Sequence, residues 1–313
     1  MLLNNIKLKY FKKYCFNFFL SIILLLILKT KIPIEFYQKI KGKTKVAICS
    51  LVRKENKYIK YFIEFYKKLG YDHFYFYDHN DEGDESIDDV EIVKDGINKG
   101  FITVIKYPDK SATYIANSYY KCYEDYNLKY DWISFFDVDE YLVLEPRNSS
   151  IQDFLENSRY KNCEIIKFNW KVFTDNEKLD YEDKPLNERF PIETRFKFEC
   201  RHVKPTLRGG LYYKRFERTG NPHSLFRNIK ACSSSGSTTD WKYHRWPPDF
   251  KYAALNHYVT KTIKEYYLKR FREKGYKMSD RFKRYSFNYF FRINNKTKEK
   301  VDLFNKMFNS NFT

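Results

Sequence analysis

The sequence between residues 45 and 144 alternates between short apolar segments and longer amphipathic ones. Lys45–Val52 (KVAICSLV) is a continuous apolar run, which is typical of a strand buried on both faces. The next segment, KENKYIKYFIEFYKKLG, has apolar residues at helical spacing and a glycine stop, at Tyr58, Phe62, Phe65, Leu69 and Gly70. A strand followed directly by an amphipathic helix predicts one unit of an α/β sheet.

Three further strands are predicted along the same stretch. The segments DHFYFYDHND, FITVIKYP and DWISFFDVDEYLVL are short, apolar and aromatic, and TYIANSYYKCYEDYN between the last two has helical spacing. Alternation of this kind implies an α/β fold with a mainly parallel sheet. Ligands of such sheets bind at the carboxyl ends of the strands, and there this sequence has Asp78, Asp137 and Asp139.

The pattern becomes mixed after Pro146. Residues 163–173 and 195–216 are predicted strands, with a polar loop between them. The serine-rich stretch ACSSSGSTTD, at 231–240, is a predicted flexible loop. From Thr262 onward the spacing is helical and the composition strongly basic and aromatic.

Charge divides the chain into three parts, residues 1–45, 46–260 and 261–313. The net charge is +18, but residues 1–45 carry ten lysines and one glutamate, and residues 261–300 carry fourteen basic and four acidic side chains. The middle part is balanced, with 33 basic and 34 acidic residues. A nucleic-acid binder needs its basic groups on the folded core, so this class is excluded. Basic ends suit an anionic membrane surface or a phosphorylated small molecule.

An apolar run of fifteen residues, Tyr14–Leu28, lies between lysines near the start of the chain. It is short for a spanning helix, which needs about 20 residues, and no small-residue cleavage site follows it. We predict a membrane-associated protein with a single N-terminal anchor or interfacial helix in residues 1–45. A buried core helix is the alternative. Lysine counts slightly favour a cytoplasmic C-terminal domain, and the orientation stays open.

The six cysteines are far apart in the sequence and form no CxxC pair. This spacing indicates neither a zinc knuckle nor a dense disulfide framework. We predict mostly buried thiols at Cys15, Cys49, Cys122, Cys163, Cys200 and Cys232.

Asp137-Val138-Asp139 follows the apolar strand WISFF, so both carboxylates are predicted to project into a cleft. Two carboxylates one residue apart form a hard-oxygen site for Mn²⁺ or Mg²⁺, and such a metal can bridge the phosphates of a nucleotide. Surface acids without a function are one alternative, and a metal-dependent phosphohydrolase is another. Glu140-Tyr141 stands where haloacid dehalogenase-type phosphatases usually have Gly-Thr, which disfavours the phosphohydrolase.

Four blocks in this order resemble bacterial-type members of glycosyltransferase family 92 and its family 2-like relatives. They are VAICSLVRKENKYIKYFIEFYKKLGYDHFYFYDHND, then DWISFFDVDEYL, then FNWKVFTDN with NERF, then AALNHYVTKTIKEYYLKRFREKG. The resemblance covers about residues 46–276. It implies a glycosyltransferase A-type fold, with a Rossmann-like mixed sheet flanked by helices, and a hexosyltransferase-like enzyme whose catalytic domain is residues 46–260.

The resemblance also implies the reaction. A nucleotide sugar, most often a UDP-sugar, would donate its sugar to a glycan or glycolipid acceptor by inverting displacement, with Mn²⁺ or Mg²⁺ held by the Asp-x-Asp motif. Arg53 and Glu55 match the first loop around the nucleotide, and Asp78 matches the position that touches the uracil or ribose. Asp137 and Asp139 match the metal motif, with Asp137 also facing the donor.

An inverting transfer needs a base within hydrogen-bond reach of the acceptor hydroxyl. Asp175, in the block WKVFTDN, is the first candidate, and a turn-forming Asp-Asn pair is the alternative at this position. Glu188, in NERF, is the second candidate.

Two histidines match the late histidine that completes the metal shell in A-type transferases. His223 (NPHSL) is the preferred metal ligand, and His257 (LNHY) is the other candidate, although each could instead have a plain structural role. His73, His202 and His244 are predicted to be surface or packing residues.

The last basic segment allows three interpretations. Lys261 and Lys264, followed by Arg270, Arg272 and Lys274, could form a basic helix near the donor phosphates. A solvated helix face is the common alternative, and interspersed aromatic residues also suit docking on a membrane. For the whole chain, a carbohydrate-binding or inactive relative of the transferases is the alternative function.

Overall fold

The computed structural model describes residues 42–147, 149–240, 242, 244–270 and 287–296. The predicted anchor Tyr14–Leu28 and most of the basic extension, including Arg272 and Lys274, lie outside the described residues. Among the described residues, no helix is long and apolar enough to cross a membrane.

The first part of the domain alternates strands and helices as the sequence predicts. The elements are β1 (Val46–Val52), α1 (Asn56–Leu69), β2 (His73–Asp78), α2 (Glu91–Asn98), β3 (Ile102–Lys106), α3 (Tyr114–Tyr126) and β4 (Trp132–Phe135). The strands β1 and β2, β2 and β3, and β1 and β4 pair in parallel. Helix α1 ends where expected, because Gly70 adopts φ 104°, a left-handed conformation that glycine takes without strain.

The second part is less regular. Its strands are β5 (Glu140–Leu144), β6 (Ile165–Val172), β7 (Val203–Arg208), β8 (Glu217–Arg218), β9 (Phe226–Arg227), β10 (Ala231–Ser233), β11 (Thr238–Thr239) and β12 (Ala253–His257). Its helices are α4 (Ile151–Glu156), α5 (Leu186–Arg189), α6 (Ile263–Arg270) and α7 (Phe287–Ile293). Short 3-10 helices occur at Ile87–Asp89, Ser158–Tyr160, Lys197–Arg201 and Tyr213–Arg215.

The described strands form one large mixed sheet and a small hairpin. The sheet has the order β11-β10-β6-β7-β4-β1-β2-β3, and β12 pairs with both β5 and β6. Strand β7 runs antiparallel to its neighbours β4 and β6. The predicted α/β class with a mixed sheet flanked by helices is confirmed. In the sheet order, β4, β1 and β2 are neighbours, so the carboxyl ends of these three strands lie side by side.

Two predicted elements of the second part are wrong. The strand predicted at 195–216 is divided into the 3-10 helix Lys197–Arg201 and the shorter strand β7. The serine-rich stretch predicted as a flexible loop forms the β10–β11 hairpin instead. Asp249 fixes this hairpin, since its carboxylate accepts hydrogen bonds from the Ser233 hydroxyl and the Ser235 N–H.

Four of the cysteines are paired, contrary to the prediction of buried thiols. Disulfides join Cys49 on β1 to Cys122 on α3, and Cys163 to Cys232 on β10. The pairs are 73 and 69 residues apart in sequence, so only the packing of separate elements brings them together. Cys200 is a buried free thiol, as predicted.

Candidate active site

The Asp-x-Asp motif lies at the carboxyl end of β4, in a tight turn that leads into β5. The turn is closed from both sides, because Glu140 N–H donates to the Asp137 carbonyl over 3.0 Å and Glu140 Oε2 accepts from Asp137 N–H over 2.8 Å. Asp139 is 5% exposed. The end of strand β4 and the hydrogen bond from Asp137 N–H to the Glu140 side chain therefore hold both carboxylates at the edge of the sheet.

Asp139 is bound by two lysines from the end of the described chain. Lys261 Nζ lies 2.7 Å and Lys269 Nζ 3.0 Å from Asp139 Oδ2. Burial would raise the pKa of Asp139, but the charges of these two lysines outweigh it and hold the pKa well below its usual value. Lys261 precedes α6 and Lys269 lies in its last turn, so the segment 261–270 brings two positive charges to the acid.

Asp137 is bound by a third lysine and a tyrosine. The buried Lys204, on β7, places Nζ 2.9 Å from Asp137 Oδ1, and Tyr119 on α3 donates its hydroxyl to the same oxygen over 2.7 Å. Burial opposes ionisation of Asp137, yet the charge of Lys204 lowers its pKa. Burial raises the pKa of the neighbouring Glu140 well above its usual value. Both motif aspartates are therefore ionised, and the charges of the neighbouring lysines balance their negative charges.

Both candidate metal histidines lie near the motif, but only one adjoins Asp139. His257, at the end of β12, places Nε2 3.5 Å from Asp139 Oδ1. His223 Nδ1 lies 2.9 Å from the Val203 carbonyl oxygen. Because a carbonyl oxygen can only accept a hydrogen bond, His223 Nδ1 carries the proton and donates it. Burial lowers the pKa of both imidazoles, so both are neutral. Trp170 on β6 separates them, with its ring 4.1 Å from that of His257 and 5.2 Å from that of His223.

These groups line one cavity of about 220 Å³. Its wall combines three carboxylates, three imidazoles, one lysine and aromatic or apolar surface. The lining residues are Asp137, Asp139, Trp170, Glu199, His202, His223, His257, Val259, Lys269 and Tyr289. A cavity of this size and polarity can hold part of a charged ligand, such as a diphosphate with a sugar.

The donor set suits a divalent metal only in part. Among the described residues, no group of three or more His, Cys, Asp or Glu side chains is arranged to hold a metal ion. Asp139 and His257 do converge, and His257 Nδ1 is buried without a hydrogen-bond partner in the described part of the chain. One carboxylate and one neutral imidazole are compatible with Mn²⁺. A metal held by these two groups would need further ligands, such as a second aspartate or oxygen atoms of a bound substrate.

The residues predicted to surround the nucleotide lie at the neighbouring strand ends. Arg53 follows β1 and pairs with Asp81 over 2.7 Å. Asp78 ends β2, is 1% exposed, and accepts from Asn80 and Lys106. Glu55 precedes α1, where its carbonyl accepts from the Tyr58 N–H. None of the three lines the 220 Å³ cavity, but the sheet order places their loops beside the motif.

The two predicted bases lie elsewhere. Asp175 is buried, accepts from the Glu177 N–H over 3.0 Å and lies 3.7 Å from Lys296 Nζ. Glu188 is exposed on the short helix α5. Neither carboxylate lines the cavity that contains Asp137 and Asp139.

The NERF block contributes a buried ion pair beside the site. Arg189 donates to Glu265 on α6 through Nη1 and Nη2, over 3.1 and 2.5 Å, and the Tyr58 hydroxyl also donates to Glu265. Burial would raise the pKa of Glu265, but these partners lower it to about 2. This network anchors α6, and therefore Lys269, to α1 and α5.

Several residues of the cavity were not predicted. Lys269, Trp170, Glu199 and His202 line the cavity, and Lys269 and the buried Lys204 pair with the motif aspartates. Trp170 lies within a family block and alternates with the polar residues Asn169 and Lys171, a pattern that is typical of ordinary strand packing. Of the predicted basic helix, Lys261 reaches Asp139, whereas Lys264 is exposed and pairs with Asp180.

Comparison with known proteins gives a family and distant structural neighbours. The profile of glycosyltransferase family 92 matches residues 43–311. No curated protein matches the chain. Among solved structures, S. aureus TarS 1–349 is 12% identical with a TM-score of 0.38, covering 76% of this chain and 68% of that one. A glycosyltransferase involved in glycosylation of the major capsid of PBCV-1 is 15% identical with a TM-score of 0.22, covering 52% and 59%.

Proposed function

The chain belongs to glycosyltransferase family 92 and is a glycosyltransferase; we propose that it moves a sugar from a nucleotide-sugar donor, most simply a UDP-sugar, to a glycan or glycolipid acceptor. We propose further that the transfer is metal-dependent and inverting. The observation that carries this proposal is one cavity that is lined by Asp137, Asp139 and Lys269, where Lys269 lies 3.0 Å from Asp139.

The cationic groups suit a diphosphate. Lys261 and Lys269 lie within 3.0 Å of Asp139, and Lys269 also lines the cavity. An entering diphosphate would find the preformed ammonium group of Lys269, and positioned charges of this kind stabilise a departing anion. We assign the phosphates to Lys269, and the nucleoside to the loops of Arg53, Glu55 and Asp78.

Asp139 and His257 would hold the metal, with Asp137 and His223 as further candidate ligands. A bound Mn²⁺ or Mg²⁺ would supply Lewis-acid stabilisation of the negative charge on the leaving diphosphate. The chain's own residues prepare this site, since Lys204 and Tyr119 fix the Asp137 carboxylate and the Asp139 carboxylate is kept ionised.

Attachment to a membrane would bring the enzyme close to its acceptor. We propose that the apolar run in residues 1–45 anchors the enzyme, which would bring the cavity to a lipid-linked or surface glycan. Removal of residues 1–30 is expected to release the protein from membranes without stopping catalysis. Persistent membrane association of this shortened chain would move the anchor to the basic aromatic extension.

A turnover assay tests the proposed function. The full-length protein in detergent is incubated with UDP-, GDP- and CMP-sugars and a panel of simple glycosides, with Mn²⁺ or with chelator. We expect nucleotide release and glycoside extension with one donor class, in Mn²⁺ only. Glycan binding without any turnover would instead favour the carbohydrate-binding relative, and phosphate release from simple esters would favour a phosphohydrolase.

A further inference from the structure

Three carboxylates line the cavity, and they differ in their partners. Asp137 and Asp139 each bind lysine. Glu199 does not: among the described residues, its ion-pair partner is the imidazole of His202, with His202 Nε2 3.4 Å from Glu199 Oε2. Glu199 is therefore the cavity carboxylate whose oxygens no lysine occupies in the described part of the chain.

Glu199 is a partly buried acid that is held by its neighbours. It lies on the 3-10 helix Lys197–Arg201, and its side chain is 15% exposed. His202 Nδ1 is in turn 3.1 Å from Nε2 of His244, so the imidazole beside Glu199 is itself fixed by a second ring. Burial would raise the pKa of Glu199, but His202 outweighs it and lowers the pKa, so the group is ionised at neutral pH.

The wall next to Glu199 offers a place for a sugar. Trp170 packs its ring 4.9 Å from that of His202 and 4.1 Å from that of His257, which adjoins Asp139. The Trp170 Nε1–H is buried and has no hydrogen-bond partner in the described part of the chain, although buried indole N–H groups usually find one. The wall thus runs from the metal-motif acid, across an aromatic face, to Glu199.

We propose that Glu199 is the general base of the transfer and that the acceptor hydroxyl enters the cavity between Glu199 and Trp170. This assignment rests on the proposed function, an inverting transfer from a nucleotide sugar. It differs from the sequence-based choice of Asp175 or Glu188, which do not line the cavity.

The proposed transfer is a direct displacement at the anomeric carbon of the donor sugar. The acceptor oxygen attacks the anomeric carbon and forms the new glycosidic bond, while the bond from that carbon to the phosphate oxygen breaks. The electron pair of the broken bond leaves with the nucleoside diphosphate. The acceptor hydroxyl proton passes to the Glu199 carboxylate, which then returns it to solvent.

The test compares full-length wild type with Glu199→Gln, which keeps the shape and removes the basic oxygen. Glu193→Gln is the matched control, since Glu193 pairs with Lys197 at the start of the same 3-10 helix but does not line the cavity. The donor and acceptor are the pair that wild type turns over best from the panels of UDP-, GDP- and CMP-sugars and simple glycosides. We expect Glu199→Gln to lose about 10²-fold or more in kcat with donor KM unchanged, and Glu193→Gln to match wild type.

A second variant separates a chemical role from a structural one. In Glu199→Ala, added formate can take the place of the missing carboxylate, and we expect it to restore part of the rate. If wild type turns over and the rate of Glu199→Gln is within threefold of it, the assignment of Glu199 is overturned. The proposed function is then intact. A lost rate that formate does not restore, with a lower thermal midpoint, would also overturn it. Absence of turnover by wild type on every donor would overturn the proposed function and this inference together.

Discussion

Two parts of the described chain, a first half and a second half, supply different groups around one cavity. The first half (residues 46–144) is a regular series of strands and helices, and it provides the acids Asp137 and Asp139 at a strand end. The second half (residues 146–270) is irregular, and it provides the groups that face those acids, including Lys204, His257 and Lys269. The regular first half therefore fixes the position of the two aspartates. The irregular second half supplies the cationic and imidazole groups that set their electrostatic surroundings.

The largest effect is expected where the two halves meet at Asp139. Asp139→Asn should lower turnover by about 10³-fold, because it removes a proposed metal ligand. It should also destabilise the fold by about 3 kcal/mol, since Lys261 and Lys269 would lose their common partner in a buried site. Initial rates and urea unfolding measure the two effects. Full activity in this variant would contradict the metal assignment.

The second prediction concerns the ion pair that anchors α6. Arg189→Met leaves the Glu265 carboxylate buried without its arginine and should reduce stability by about 3 kcal/mol. In wild type the pKa of Glu265 is lowered to about 2, so its contribution to stability is present above about pH 4.3 and is lost as the pH falls toward 2. Urea unfolding from pH 7 to pH 3 should show that the variant loses less stability over this range. Equal losses in both proteins would contradict the role of the pair.

A smaller effect tests the lysine that the second half adds to the cavity. Lys269→Met should raise the donor KM about tenfold, or about 1.4 kcal/mol, with a lesser change in kcat. Lys264→Met is the control on the same helix, because Lys264 is exposed and pairs with Asp180. Similar donor KM values in both variants would show that charge on the helix as a whole, rather than Lys269, attracts the donor.

The smallest effect is expected in the first half. Arg53→Ala should raise the donor KM about fivefold, close to 1 kcal/mol, as for the loss of one hydrogen bond. Arg147→Ala, an exposed arginine that pairs with Glu145, should leave donor KM unchanged. A kcat effect larger than the KM effect would place Arg53 in the chemistry rather than in nucleoside binding.

The same contrast explains what could be predicted from sequence. The strand ends of the first half follow from local apolar patterning, so the position of Asp137 and Asp139 was predictable. The partners of these acids come from residues 204, 257, 261 and 269, and contacts over such separations carry no local signal. Glu199 illustrates the limit, since only the folded chain shows that its side chain lines the cavity.

Donor binding by the full-length protein tests the central claim most directly, that Asp139 and its cationic partners form the donor site. Thermal midpoints of wild type and Asp139→Asn are measured with UDP-, GDP- and CMP-sugars, with Mn²⁺ or with chelator. We expect one donor class to stabilise wild type in Mn²⁺ only, because a ligand stabilises the state that binds it, and we expect Asp139→Asn not to respond. Equal stabilisation of both proteins by that donor would contradict the claim.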